Sequence, residues 1–161
     1  MGCDIHLYVE KRLKNGDWAF VRNLNEGING EGLRPWGEQG KAVGGFWRLS
    51  GRNYNLFSRL AGVRGPGPAP KGLPNDVSEF LDEEHERYRS DAHSASWAPP
   101  LEFMEEYIAS MQAYDEGAPL DKYMQIRLAE GVERALEVFM RDMCSLDTDG
   151  HEYRFVYWFD N

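Results

Sequence analysis

From Cys3 to Arg12 the chain alternates, with Cys3, Ile5, Leu7 and Val9 in one set and Asp4, His6, Tyr8 and Glu10 in the other. A period of two puts the sets on opposite faces of a strand, one of them buried. Lys14-Asn15-Gly16-Asp17 carries an Asn-Gly turn signal, and Trp18 to Val21 supplies the returning strand of a hairpin. Near the other terminus HEYRFVYWF alternates again: Tyr153, Phe155, Tyr157 and Phe159 share one face, and Arg154, Val156 and Trp158 the other.

Between these strands the pattern turns helical. Leu56, Phe57, Leu60 and Ala61 mark a short helix that Asn53 or Asn55 can cap. Asp76 or Ser78 can cap an acidic helix running to about Tyr88. Pro99-Pro100 suits the first turn of a helix with Leu101, Met104, Ile108 and Met111 on one face. The spacing of Met124, Leu128, Val132, Leu136, Phe139 and Met143 predicts one long helix from Leu120 to about Met143, with Leu128 and Leu136 buried. Residues 23–52 read as a long glycine-rich loop with Trp36, Phe46 and Trp47 embedded in it, the kind that carries function. Residues 64–75, with four prolines and three glycines, read as a stiff connector, and residues 89–98 as a loop. The expected fold class is α+β: a small antiparallel sheet, made of the N-terminal hairpin and the C-terminal strand, with helices on one face. The 161 residues make one domain in this reading, with residues 76–146 as its acidic helical part.

Charge divides the chain. Residues 22–75 hold eight bases against three acids, and residues 76–149 hold six bases against nineteen acids. That asymmetry suggests either two faces with different partners or two halves that neutralise each other. The net charge of −9 argues against general nucleic-acid binding, which rests on phosphate neutralisation. No apolar run is long enough to span a bilayer, and the N-terminus lacks the basic and apolar regions of a secretory signal. Cys3 and Cys144 are too few for a disulfide framework and read as small buried hydrophobes in a reducing compartment. The expected location is the cytoplasm.

Each of the four histidines has an acid two positions before it: Asp4–His6, Glu83–His85, Asp91–His93 and Asp149–His151. In extended backbone such a pair shares a face, so it can ligate one metal, or the carboxylate can orient the imidazole. His85 lies in a helical pattern, where the two positions diverge. Asp4, His6, Asp91 and His93 are therefore the candidate metal set, with a divalent ion as the one candidate cofactor. A second constellation joins Ser94, Ser96 and Trp97 before one helix to Arg52, Asn53 and Tyr54 before another. Helix N-termini and Arg forks suit an anion, and aromatic rings suit a base. With His6 and His93 these make the expected ligand-binding set, one pocket lined by both histidines, Arg52 and Trp97. No phosphate loop, dinucleotide fingerprint or nucleophile elbow is present.

The strings MGCDIHLYVEK, RNYNLFSRLAGVRG, KGLPNDVS and DAHSASW, within residues 1 to about 110, resemble a family of small bacteriophage-encoded proteins. The resemblance implies a phage accessory protein acting in the bacterial cytoplasm and carries no activity with it. Three functions follow as expectations. The first is a counter-defence binder of a small anionic, nucleotide-like molecule, such as a host immune signal. The second is a metal-dependent phosphoesterase on the same ligand class, and the third an acidic protein–protein inhibitor. A homo-oligomer is compatible with each.

Overall fold

The computed structural model describes residues 2–21, 53–112, 122–144 and 150–160. Four strands, β1 (Asp4–Arg12), β2 (Trp18–Phe20), β3 (His93–Ala98) and β4 (Tyr153–Asp160), form one antiparallel sheet in the order β2-β1-β4-β3. Among the described residues five α-helices accompany it: α1 (Tyr54–Ala61), α2 (Glu79–Tyr88), α3 (Pro100–Gln112), α4 (Lys122–Glu130) and α5 (Val132–Cys144). The α+β class and the pairing of the two ends of the chain agree with the alternation. β1 and β4 run in register from Asp4↔Asp160 to Lys11↔Tyr153, and Ile5 and Phe155 lie in one core.

That core fills the first face of the sheet. Ile5, Leu7, Val9, Phe155, Tyr157 and Phe159 meet Leu56, Phe57 and Leu60 of α1, Phe103, Met104 and Tyr107 of α3, and Val138 and Phe139 of α5. Asn53 caps α1 as its position predicts, its side-chain oxygen accepting from the Leu56 N–H at 3.1 Å. Its amide in turn donates to Ser110 Oγ at 3.0 Å, which ties the start of α1 to α3.

The sequence pattern departs from the structure in four places. Helices cover both faces of the sheet, because α2 lies across the second one, where Leu81 packs with Tyr8, Val156 and Trp158. The set Asp4, His6, Tyr8 and Glu10 therefore faces a second, polar-lined core and not water; His6, Tyr8 and Glu10 are all buried. Residues 93–98 are a strand, not a loop; small polar side chains had hidden it. The long helix breaks at Gly131, whose φ of +96° no L side chain adopts without strain, into α4 and α5. The break resets the helical phase, so Leu128 is 62% exposed while Leu136 stays half-buried. The expected loop at 23–52 lies outside the described residues. Among the described residues no helix is long and apolar enough to cross a membrane.

Candidate functional site

The sheet has two ends, and each gathers chemistry. At one end β1 and β3 begin and β4 finishes. Here a β-bulge interrupts β3: His93 pairs with Phe159 and Ser96 with Tyr157, so β3 spends one residue more than β4 between the two pairs. One extra residue flips a side chain across the sheet. His93 consequently points to the first face, stacked beside Phe159 at 6.2 Å. His6 pairs with Trp158 and points to the second.

The two histidines are thus on opposite faces, and the expected single pocket holding both does not form. His6 is buried beneath α2. Its Nε2 lies 2.9 Å from Asp160 Oδ2, and its Nδ1 lies 3.1 Å from the Tyr88 hydroxyl. Burial pushes its pKa below the ordinary histidine value against the pull of Asp160, so the ring is neutral at pH 7. Asp4 gives its backbone N–H to Asp160 Oδ1 at 3.3 Å. Asp91 is exposed on a 3-10 turn over Arg89–Asp91. Among the described residues no three His, Cys, Asp or Glu side chains converge as a metal site. Asp4, His6, Asp91 and His93 therefore do not assemble as ligands, because the sheet separates the two imidazoles and Asp91 turns outward.

The hydrogen bonds and ring contacts of these histidines reach beyond the acid two positions before each. His6 takes Asp160, His85 sits edge-on to Trp158 at 5.1 Å, and His151 lies 3.3 Å from the Lys11 ammonium. His93 Nδ1 contacts Ser94 Oγ at 3.0 Å, and its Nε2 lies 4.0 Å from the Cys3 sulfur. Arg64 approaches that sulfur and also lies 5.9 Å from the Tyr54 ring. Tyr54, His93 and Ser94 do then gather at one corner, through Cys3 and Arg64, which the sequence reading had passed over. Asn53 and Ser96 are structural: Asn53 is the cap described above, and buried Ser96 accepts the Lys71 N–H at 3.2 Å. Arg52 lies outside the described residues.

Near Tyr8, Glu84 of α2 is buried with one oxygen held by Arg87 at 3.0 Å and the other, Oε1, without a hydrogen-bond partner among the described residues. Burial raises its pKa above the ordinary glutamate range, with Arg87 opposing. A raised carboxyl favours the protonated folded state, so its stabilising effect is complete at low pH and is lost as pH rises through the raised value. Glu84→Gln should accordingly be more stable than the parent by about 1 kcal/mol at pH 8, with the gap closing at acid pH. Urea melts across pH check this; a gap that widens on acidification contradicts it.

The other end of the sheet, where β1 finishes and β4 begins, holds an open cleft of about 870 Å³. Trp18, Trp97, Arg12, Lys71, Arg154 and His151 line it, with Leu73, Leu101, Leu136 and Met140 as its apolar wall. Each indole carries a cation: Arg154 lies 4.2 Å from the Trp18 ring centre and Lys71 Nζ 4.8 Å from that of Trp97. Arg154 is committed to the fold. Its Nε donates to buried Glu10 at 2.6 Å and its Nη1 to Asp76 at 2.6 Å. Trp18 Nε1 also donates to Asp76, at 3.1 Å. These bonds hold the carboxyl of Asp76 below its ordinary value, the Arg154 hydrogen bond foremost. Lys71 is loosely held, by the Trp97 carbonyl at 3.0 Å and Glu102 at 3.4 Å, and is 44% exposed. Of the expected ligand-binding residues that are among the described ones, only Trp97 lines this cleft. The others were read from motif strings, while Trp18 and Arg154 come from parts of the chain with no motif, and Lys71 opens the KGLPNDVS string without having been chosen as a site residue. A scan against protein-family models, a search of curated proteins and a search of solved structures each return no match for this chain.

Proposed function

We propose that the protein binds a small, planar, anionic molecule of nucleotide-like chemistry in the cleft between the sheet end and the 71–76 connector. The observation that supports this most is the pairing of two indoles with Arg12 and Lys71 around a space of about 870 Å³, in a chain of net charge −9. Ligand pockets run to roughly 300–1,000 Å³, so a nucleotide fits this one. Lys71 and Glu102 are both exposed, and such a pair contributes little. Lys71 therefore turns to a phosphate or carboxylate at small cost, and the face of Trp97 it leaves accepts a base. The phage resemblance of the GCDIH, RNYNLF and HSxSW strings supports a setting in an infected bacterium, where such a binder draws down a host immune signal.

The test is equilibrium dialysis against a panel of mono-, di- and cyclic oligonucleotides, with and without Mg²⁺, followed by heat release and chromatography. One member of the panel should be depleted and returned intact. Trp97→Ala and Lys71→Met should each weaken its capture about tenfold, the size of a lost base stack, with melting temperatures close to that of the parent. Undiminished capture by both variants removes the cleft as the site, and an altered ligand means turnover in place of binding.

A further inference from the structure

We propose that Cys3, His93 and Arg64 form a second, separate site: a thiol nucleophile for small anionic acyl compounds, at the end of the sheet opposite the cleft. The Cys3 sulfur lies 4.0 Å from His93 Nε2, within reach of an S–H···N contact. His93 Nδ1 is 3.0 Å from Ser94 Oγ. The tautomer that donates Nδ1–H to this hydroxyl leaves the Nε2 lone pair facing the thiol. A nucleophile, a base beside it and a third group orienting that base are the parts that nucleophilic catalysis needs.

The bulge in β3 is what turns His93 toward Cys3. Two of the three described non-glycine residues with positive φ, Arg64 (+63°) and Ser94 (+54°), sit against this same thiol–imidazole pair. Strain of this kind persists only where the surroundings enforce it.

Arg64 supplies the substrate class. Its guanidinium stands close enough to the sulfur of Cys3 to act on its charge, while the arginine itself is exposed. The thiol is fully buried under that contact. A carboxylate or phosphate that takes the Arg64 fork draws it off the sulfur and brings the rest of the molecule to it. Burial pushes the thiol pKa up while Arg64 pulls it back, so the resting sulfur keeps its proton. His93 Nε2 then takes that proton as sulfur bonds to the acyl carbon. The bond from carbon to the leaving oxygen or nitrogen breaks, and the leaving group departs with the proton from His93. Water afterwards splits the thioester, giving a carboxylic acid and the free thiol.

Mono-p-nitrophenyl glutarate, which bears a carboxylate, and neutral p-nitrophenyl butyrate are the paired probes. Nitrophenol release is followed by absorbance, and the acyl group is located by peptide mass, with Cys144 as internal reference. The wild type should acylate on Cys3, about tenfold faster with the glutarate than with the butyrate. Arg64→Met should remove that preference, and His93→Gln should slow both probes about 100-fold. Nitrophenol release undiminished in Cys3→Ser, or equal rates with the two probes in the wild type, overturns the proposal whether or not the other variants fold. Since the probes need no nucleotide, failure here leaves the cleft reading standing, and failure of the cleft leaves this one.

Discussion

Replacing Arg154 with methionine is expected to remove about 3 to 5 kcal/mol of stability, the cost of breaking one side of a buried ion pair. Glu10 and Arg154 are direct partners across β1 and β4, and both are buried. Glu10 spends one oxygen on Arg154 and the other on the Ser78 N–H at 2.7 Å. Arg154 holds Asp76 through both its carboxylate and its backbone carbonyl. The group thereby fastens residues 76–78, just ahead of α2, to the middle of the sheet. Without Arg154 the Glu10 carboxylate stays buried beside a methyl group. The double variant Glu10→Leu, Arg154→Met leaves no orphaned charge and should recover most of the loss. Urea denaturation of the four proteins measures the coupling. A single-variant loss below about 1 kcal/mol, or a double variant no better than the single, contradicts a buried, mutually dependent pair.

Phe139→Ala is expected to cost a similar 3 to 5 kcal/mol. Its ring is fully buried and meets Tyr123 at 5.3 Å, Tyr107 at 5.6 Å and Phe103 and Phe155 at 6.5 Å. It is where α3, α4 and α5 close on the sheet, and the cavity left by alanine is walled by ring faces that cannot collapse into it. Leu128→Ala, at an exposed position of α4, should stay within about 0.5 kcal/mol. If Leu128 proves the costlier of the two, α4 packs differently from the arrangement described. With typical domain stabilities of roughly 5–15 kcal/mol, the phenylalanine change alone is a large fraction of the total.

The alternation of β1 and β4 and the Asn-Gly turn were enough to place the hairpin and the C-terminal strand. A run of odd-numbered apolar residues can be buried in only one way, so Ile5 and Phe155 had to share a core. Asn53 as a cap and the inner face of α1 were likewise local properties, as was the proline-rich connector. Other features needed the folded chain. Gly131 reads as an ordinary weak helix position, and only its positive φ separates α4 from α5 and turns Leu128 outward. The polar face of β1 looked like a solvent face because polar residues are usually wet. It is buried because Asp160, Tyr88 and Arg154, all distant in sequence, satisfy it.

The Asp-x-His spacing singled out Asp4, His6 and His93, which stand at one end of the sheet. It could not say which faces they point to. That depended on one bulged residue in β3, where a shift of one position moves an imidazole from His6's side of the sheet to that of Cys3. The cleft is the extreme case. Trp18, Lys71, Trp97 and Arg154 come from four separate segments, and no spacing along the chain encodes their meeting. Local alternation and capping are written in neighbouring residues, whereas a cavity exists only once strands distant in sequence have paired.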